Sequence, residues 1–184
     1  WRNEGLESDH VPELAECDPE WGLPVNFGPL PAQDRVVLSE DEETVTYLDE
    51  RGITRRDFRS GSTTSMPDFV AYPIKSRRDW EENLAWRYDP DTPGRFPENW
   101  GELVRQWKDR DIPLVVSAYP HLGMFGPLRD LIGIEHMAPM FYDDPCLIRD
   151  IAHHWGEFHY RLLERVLADV VPDAVQFWED MAFH

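Results

Sequence analysis

The sequence predicts an α/β fold: a parallel sheet with helical crossovers, interrupted early by an antiparallel excursion. Two observations carry it. Pro113-Leu-Val-Val-Ser-Ala118 and Ala174-Val-Gln-Phe177 read as short buried strands separated by one long amphipathic helix, which is a complete strand–helix–strand crossover. Upstream, residues 35–59 alternate β-branched and polar side chains around turn residues, as antiparallel ribbons do.

The bulk composition fits one domain. The chain has 184 residues, 41% of them hydrophobic, with eight Trp and nine Phe, enough for a sizeable core. The net charge of −18 repels phosphate backbones and anionic lipid, which argues against nucleic-acid and membrane partners. There is no 18-residue apolar run and no visible leader. Cys17 and Cys146 are far apart and form no C-x-x-C, a usage that suits a reducing cytoplasm and buried, unreactive thiols.

Along the chain, residues 1–34 are irregular and proline-rich, with a helical turn at Glu13–Glu16 and a short strand at Val25–Phe27 bounded by Pro24 and Pro29. Asn26 is the polar side chain inside that run, either a turn residue or a substrate contact at a strand end. Residues 35–59 form the meander, with strands at Arg35–Leu38, Thr44–Leu48 and Ile53–Phe58 and with Gly52 supplying the positive φ of the hairpin. Gly61–Ser65 is a linker, since it lacks the lysine and spacing of a phosphate loop.

Residues 60–112 are expected to be helical. Ser76 caps a helix to about Tyr88 that turns Trp80 and Leu84 inward. Asp89–Pro97 is a rigid loop. Trp100, Leu103, Val104 and Trp107 then recur at helical spacing. Residues 113–184 carry the crossover. Its helix starts at Asp144-Pro145, an N-cap followed by proline at the first position, and runs to about Val170. Ile148, Ile151, Trp155, Phe158, Leu162 and Val166 lie on one stripe. Shorter helices fill Leu128–Ile132 and Glu135–Phe141.

The candidate site residues sit where strands end. Trp178, Glu179 and Asp180 follow the last strand at once, and apolar runs that break into carboxylates at a strand's carboxyl end build active sites in parallel α/β folds. Glu179 and Asp180 are therefore the catalytic candidates, with a solvated loop or helix cap as their structural alternative. Asn26, Tyr119, His121, Phe125 and Trp178 are the substrate-binding candidates at the same mouth. His153-His154-Trp-Gly-Glu157-Phe-His159 meets neither the zincin nor the inverted zincin order, so it reads as a helix-surface ion pair, and no metal ligands are assigned.

Several stretches together resemble one family: Trp21-Gly-Leu-Pro-Val-Asn-Phe-Gly-Pro-Leu-Pro31, Gly61-Ser-Thr-Thr-Ser-Met-Pro67, Tyr72-Pro-Ile-Lys-Ser-Arg-Arg-Asp-Trp-Glu81, Phe141-Tyr-Asp-Asp-Pro145 and Phe177-Trp-Glu-Asp-Met-Ala-Phe183. The chain is similar over most of its length to the uroporphyrinogen decarboxylase family, which includes corrinoid-dependent methyltransferases that pass a methyl group between a cobamide and a thiol. The resemblance implies a (β/α)8 TIM barrel. Such a barrel takes about 250 residues, so the resemblance also implies the N-terminal half of a longer protein, a partial barrel with an open last strand.

Position by position, the resemblance favours the methyltransferase branch. Asp180 stands where decarboxylases carry a serine that contacts the tetrapyrrole, and an acid there repels a polycarboxylate. Phe125 offers no hydroxyl where decarboxylases place a tyrosine, and Asn26 stands near their catalytic aspartate. Their arginine-rich signature is not seen. The expected activity is methyl transfer, with tetrapyrrole decarboxylation in porphyrin biosynthesis or non-catalytic ligand binding as alternatives. No cofactor is expected on these residues; zinc and a corrinoid, or a corrinoid protein as partner, are implied for the full-length protein, whose zinc motif falls in the C-terminal half.

Overall fold

The computed structural model describes residues 19–59, 68–118 and 120–179. The turn expected at Glu13–Glu16, the Gly61–Ser65 linker, Cys17, Tyr119 and Asp180 lie outside them.

Two sheets organise the chain. Strands β1 (Trp21–Gly22), β6 (Leu114–Ser117) and β7 (Ala174–Gln176) form a parallel sheet in the order β1-β6-β7. Strands β2 (Val36–Glu40), β3 (Thr44–Leu48), β4 (Thr54–Phe58) and β5 (Asp68–Ala71) form an antiparallel meander. The chain is thus α/β with an antiparallel excursion, and its parallel strands are neighbours in chain order.

The helices fill the rest. α1 is a composite of an α turn at Arg77–Asp79, a π segment at Trp80–Leu84 and a 3-10 turn at Ala85–Tyr88. α2 is Trp100–Trp107, α3 Phe125–Ile132, α4 Ile134–Asp143 and α5 Pro145–Asp169. Both expected caps are in place: the Ser76 side chain accepts from the Asp79 amide, and the Asp144 side chain from the Leu147 amide. The expected stripe of α5, with Val170 beyond it, is buried throughout and packs with Trp80, Tyr88, Leu114 and Val116 in one core.

Three expectations need correction. The first strand lies earlier than Val25–Phe27. Trp21 N–H donates to the Pro113 carbonyl and Leu23 N–H to that of Val115, but Pro24 has no N–H to continue the ladder. Val25–Phe27 is therefore the loop leaving the strand. Second, residues 60–112 are not wholly helical, because Asp68–Ala71 adds a fourth strand to the meander, paired with β4. Third, α3 begins at Phe125 rather than Leu128, because a distant carboxylate satisfies its first amides.

The meander docks through a buried charge network. Asp49 Oδ1 accepts from the amides of Arg51 and Ile53, both at 2.9 Å, and shapes the hairpin that Gly52 completes with φ +82°. Arg51 Nη1 then reaches Asp130 of α3 at 3.0 Å. Strand β2, by contrast, is exposed along its whole length, with Val36, Val37 and Leu38 in solvent. Strand β7, expected from the sequence to be buried, is likewise exposed, because it is the edge of the parallel sheet and pairs with β6 alone among the described residues. Among the described residues no helix is long and apolar enough to cross a membrane.

Candidate functional site

The three parallel strands point their carboxyl ends the same way, and the loops that leave them carry most of the candidate residues. After β1, the Asn26 side chain turns back and its Oδ1 accepts from the Gly28 amide at 2.8 Å. After β6, the chain turns at Ala118, whose carbonyl takes the His121 and Leu122 amides. The His121 ring then lies against Gly28. A methyl group built on Gly28 would stand 3.2 Å from both His121 Nε2 and Asn26 Oδ1. Asn26, Gly28 and His121 therefore meet, and glycine at position 28 lets the imidazole approach the backbone that closely.

His121 is a neutral base. Burial, reinforced by Arg51, His159 and Arg95 and opposed by Glu50, pushes its imidazole down to about 4. His159, read from sequence as part of a surface group on α5, is only 6% exposed. Its Nε2 lies 3.1 Å from the His121 carbonyl oxygen, which can only accept, so Nε2 carries the proton. The ring stacks on Phe27 and meets Trp155 edge-on. Burial holds it, too, down to about 4, although the His121 and Trp155 carbonyls pull upward. At neutral pH two uncharged imidazoles back the β6 loop.

The β7 end is built differently. Trp178 N–H donates to the Leu122 carbonyl at 2.7 Å. A methyl group on Gly126 would meet the Trp178 ring at 2.8 Å and its carbonyl oxygen at 2.9 Å, and one on Gly123 would collide with the same carbonyl. The glycines of the His121-Leu-Gly-Met-Phe-Gly126 turn are thus what let Trp178 sit on it. Beyond Trp178, the Glu179 carboxylate accepts from the amides of Met124, of Phe125 at 3.1 Å and of Gly126 at 3.3 Å. It caps α3 across the sheet and places a negative charge on that helix's positive end. Of its two readings, catalytic and capping, this geometry performs the second. Phe125 is partly buried and packs against the core, so its backbone serves the cap while its ring faces inward.

Two residues that the sequence reading passed over belong to this region. Arg95, placed in a rigid loop, is 1% exposed and bonds to main-chain carbonyls around the β1 end. Arg51, which stands in the hairpin connection just before Gly52, is buried and acts electrostatically on His121. Tyr88 Oη and Asp49 Oδ2 are buried there without a hydrogen-bond partner among the described residues, and Arg51 and Asp49 both act on the Tyr88 hydroxyl.

His154 and His159 of the α5 stretch turn to separate partners. His154 Nε2 lies 3.2 Å from the Tyr88 carbonyl oxygen, and among the described residues no group of three His, Cys, Asp or Glu side chains could hold a metal ion. A groove of about 310 Å³ runs beside it, between the Asp89–Asp91 turn and α5, away from the strand ends. Arg161 spans that groove to Asp91 at 2.9 Å. Cys146, expected to be buried, is exposed at the start of α5.

No family model matches the chain, and neither the characterised proteins nor the solved structures compared with it show a significant likeness.

Proposed function

We propose that this chain supplies the strand-end wall of a small-molecule site of the uroporphyrinogen decarboxylase type, with chemistry closer to the corrinoid-dependent methyltransferases than to the decarboxylases. The observation that supports it is the meeting of Asn26, Gly28 and His121 at the carboxyl ends of two adjacent parallel strands. Parallel strands in chain order are what the first part of a singly wound (β/α)8 barrel requires, and such barrels place their sites at this end.

In this reading His121 accepts a hydrogen bond or a proton from the substrate, because it is uncharged at neutral pH. The Asn26 carboxamide, already turned by the Gly28 amide, presents its NH₂ group to an acceptor. Trp178, set by two glycines, forms an apolar wall. The described residues offer no ligand set that fits zinc, so the role assigned to them is binding and orientation of the methyl donor or its acceptor. Glu179 holds the α3 start in place beneath that wall. Tetrapyrrole decarboxylation is the second reading, favoured by the positive field that Arg51 and Arg95 place around His121, which suits an anionic substrate.

Calorimetric titration with methylcobalamin and, separately, with uroporphyrin tests this. The expected result is saturable binding of methylcobalamin that His121→Gln weakens at least tenfold. Preferential binding of uroporphyrin would move the assignment to the decarboxylases. Binding of neither ligand, or equal binding by the variant, would overturn the site.

A further inference from the structure

Arg95 presents an unusual set of contacts. Its Nε donates to the Asp89 carbonyl at 3.1 Å, and its Nη1 donates to the Asn26 carbonyl at 3.1 Å and to that of Gly28. Its Nη2 donates to the Arg87 carbonyl. The guanidinium carbon stands 4.7 Å from the centre of the Phe158 ring. The main chain at the same residue is also engaged, since the Asn26 amide donates to the Arg95 carbonyl at 2.8 Å. Among the described residues, all four hydrogen bonds of this side chain end on backbone oxygens, in a chain with twice as many acids as bases.

Burying a charged guanidinium is costly unless its donors are satisfied. Here carbonyls take four of its five N–H donors among the described residues, and in return the cation ties together backbone segments that no secondary structure joins: the loop leaving β1 and the turn closing α1. Leu30 N–H also donates to the Arg87 carbonyl, at 2.9 Å, so that oxygen is shared between the two segments. Gly94, at φ +92°, makes the turn that delivers the side chain inward.

We propose that Arg95 is a positioning residue: its planar fork fixes the Asn26–Gly28 loop against the Arg87–Asp89 turn, and so sets where Asn26 and Gly28 stand relative to His121. Its value to a ligand rests on the reading of that strand end as a binding site. A lysine cannot replace it, because one ammonium cannot reach four carbonyls arranged around a plane. The groups acting on His121, namely Arg51, Glu50, His159 and Arg95 itself, make the His121 titration a reporter of the loop's position.

Amide hydrogen exchange and an NMR titration of His121, both on the free protein, test it. In Arg95→Lys, the Gly28 amide should exchange at least tenfold faster, while the Ile151, Trp155 and Phe158 amides of α5 keep their rates. The His121 midpoint should also rise from about 4 toward 6.5. An unchanged Gly28 rate and an unchanged midpoint would overturn the proposal. Equal acceleration of the α5 amides would do so as well, by showing that Arg95 acts only on global stability. Arg95→Met should open the loop further; if it fails to fold, the lysine variant decides alone. Neither readout uses a ligand, so failure here and failure of the methylcobalamin titration are separate results.

Discussion

The ends of β1 and β7 solve one problem with opposite charges. Both loops leave a parallel strand and must be held without a ladder. At β1 a buried cation, Arg95, gathers carbonyl oxygens. At β7 a half-buried anion, Glu179, gathers amide hydrogens at the start of α3. The two solutions are unequal in cost. Glu179 meets the positive end of a helix and stays near water. Arg95 is sealed in, so losing it strands several buried acceptors at once. Between these anchors sits His121, whose ring packs against Gly28 of the β1 loop.

The largest expected effect of a single substitution breaks the β1 anchor. Arg95→Met should destabilise the fold by about 3–5 kcal/mol, since each stranded buried acceptor costs about 1–3 kcal/mol and relaxation recovers part; urea denaturation checks this. Next comes acid. His121 and His159 both have folded values near 4 against an ordinary 6.5. Between pH 6.5 and 4 the unfolded chain takes up protons that the folded chain refuses, so stability falls through that window and is unaffected above it. Each histidine accounts for roughly 3 kcal/mol at most. A denaturant midpoint measured across pH should fall on acidification, and His159→Gln should flatten the fall.

Gly123→Ala sharpens the comparison at the β7 side, where the new methyl group strikes the Trp178 backbone. A loss of about 2–3 kcal/mol is expected, in the range of strained or overpacked substitutions, seen as a lower thermal midpoint. The smallest effect is Glu179→Gln, which keeps the oxygen that takes the Met124 and Phe125 amides but loses the charge and the oxygen that takes the Gly126 amide. It should cost about 1 kcal/mol, and the loss should shrink in salt, whereas the Arg95→Met loss should not.

This contrast also explains what the sequence disclosed. The stripe and cap of α5, the β6 and β7 strands and the Gly52 hairpin were legible because each rests on local periodicity or on residues within a turn of one another. Asn26 and His121 were legible as strand-end residues, but their common approach to Gly28 was not, since it depends on Gly28 having no side chain. Arg95 looked like loop filler because its partners lie up to 69 residues away. Glu179 looked catalytic because nothing near it in sequence shows that the α3 amides, 53 to 55 residues earlier, take up its carboxylate. Asp68–Ala71 was missed because a short strand opening on an aspartate has no clear alternation.

The most direct test of the account is the NMR titration of the His121 imidazole in the unmodified chain. A ring packed on Gly28 beside Asn26 and backed by His159 should titrate near 4 and stay neutral down to about pH 5. A midpoint near 6.5 would mean that the ring is solvated and the two strand ends do not meet, and the site proposed between them would fall with it.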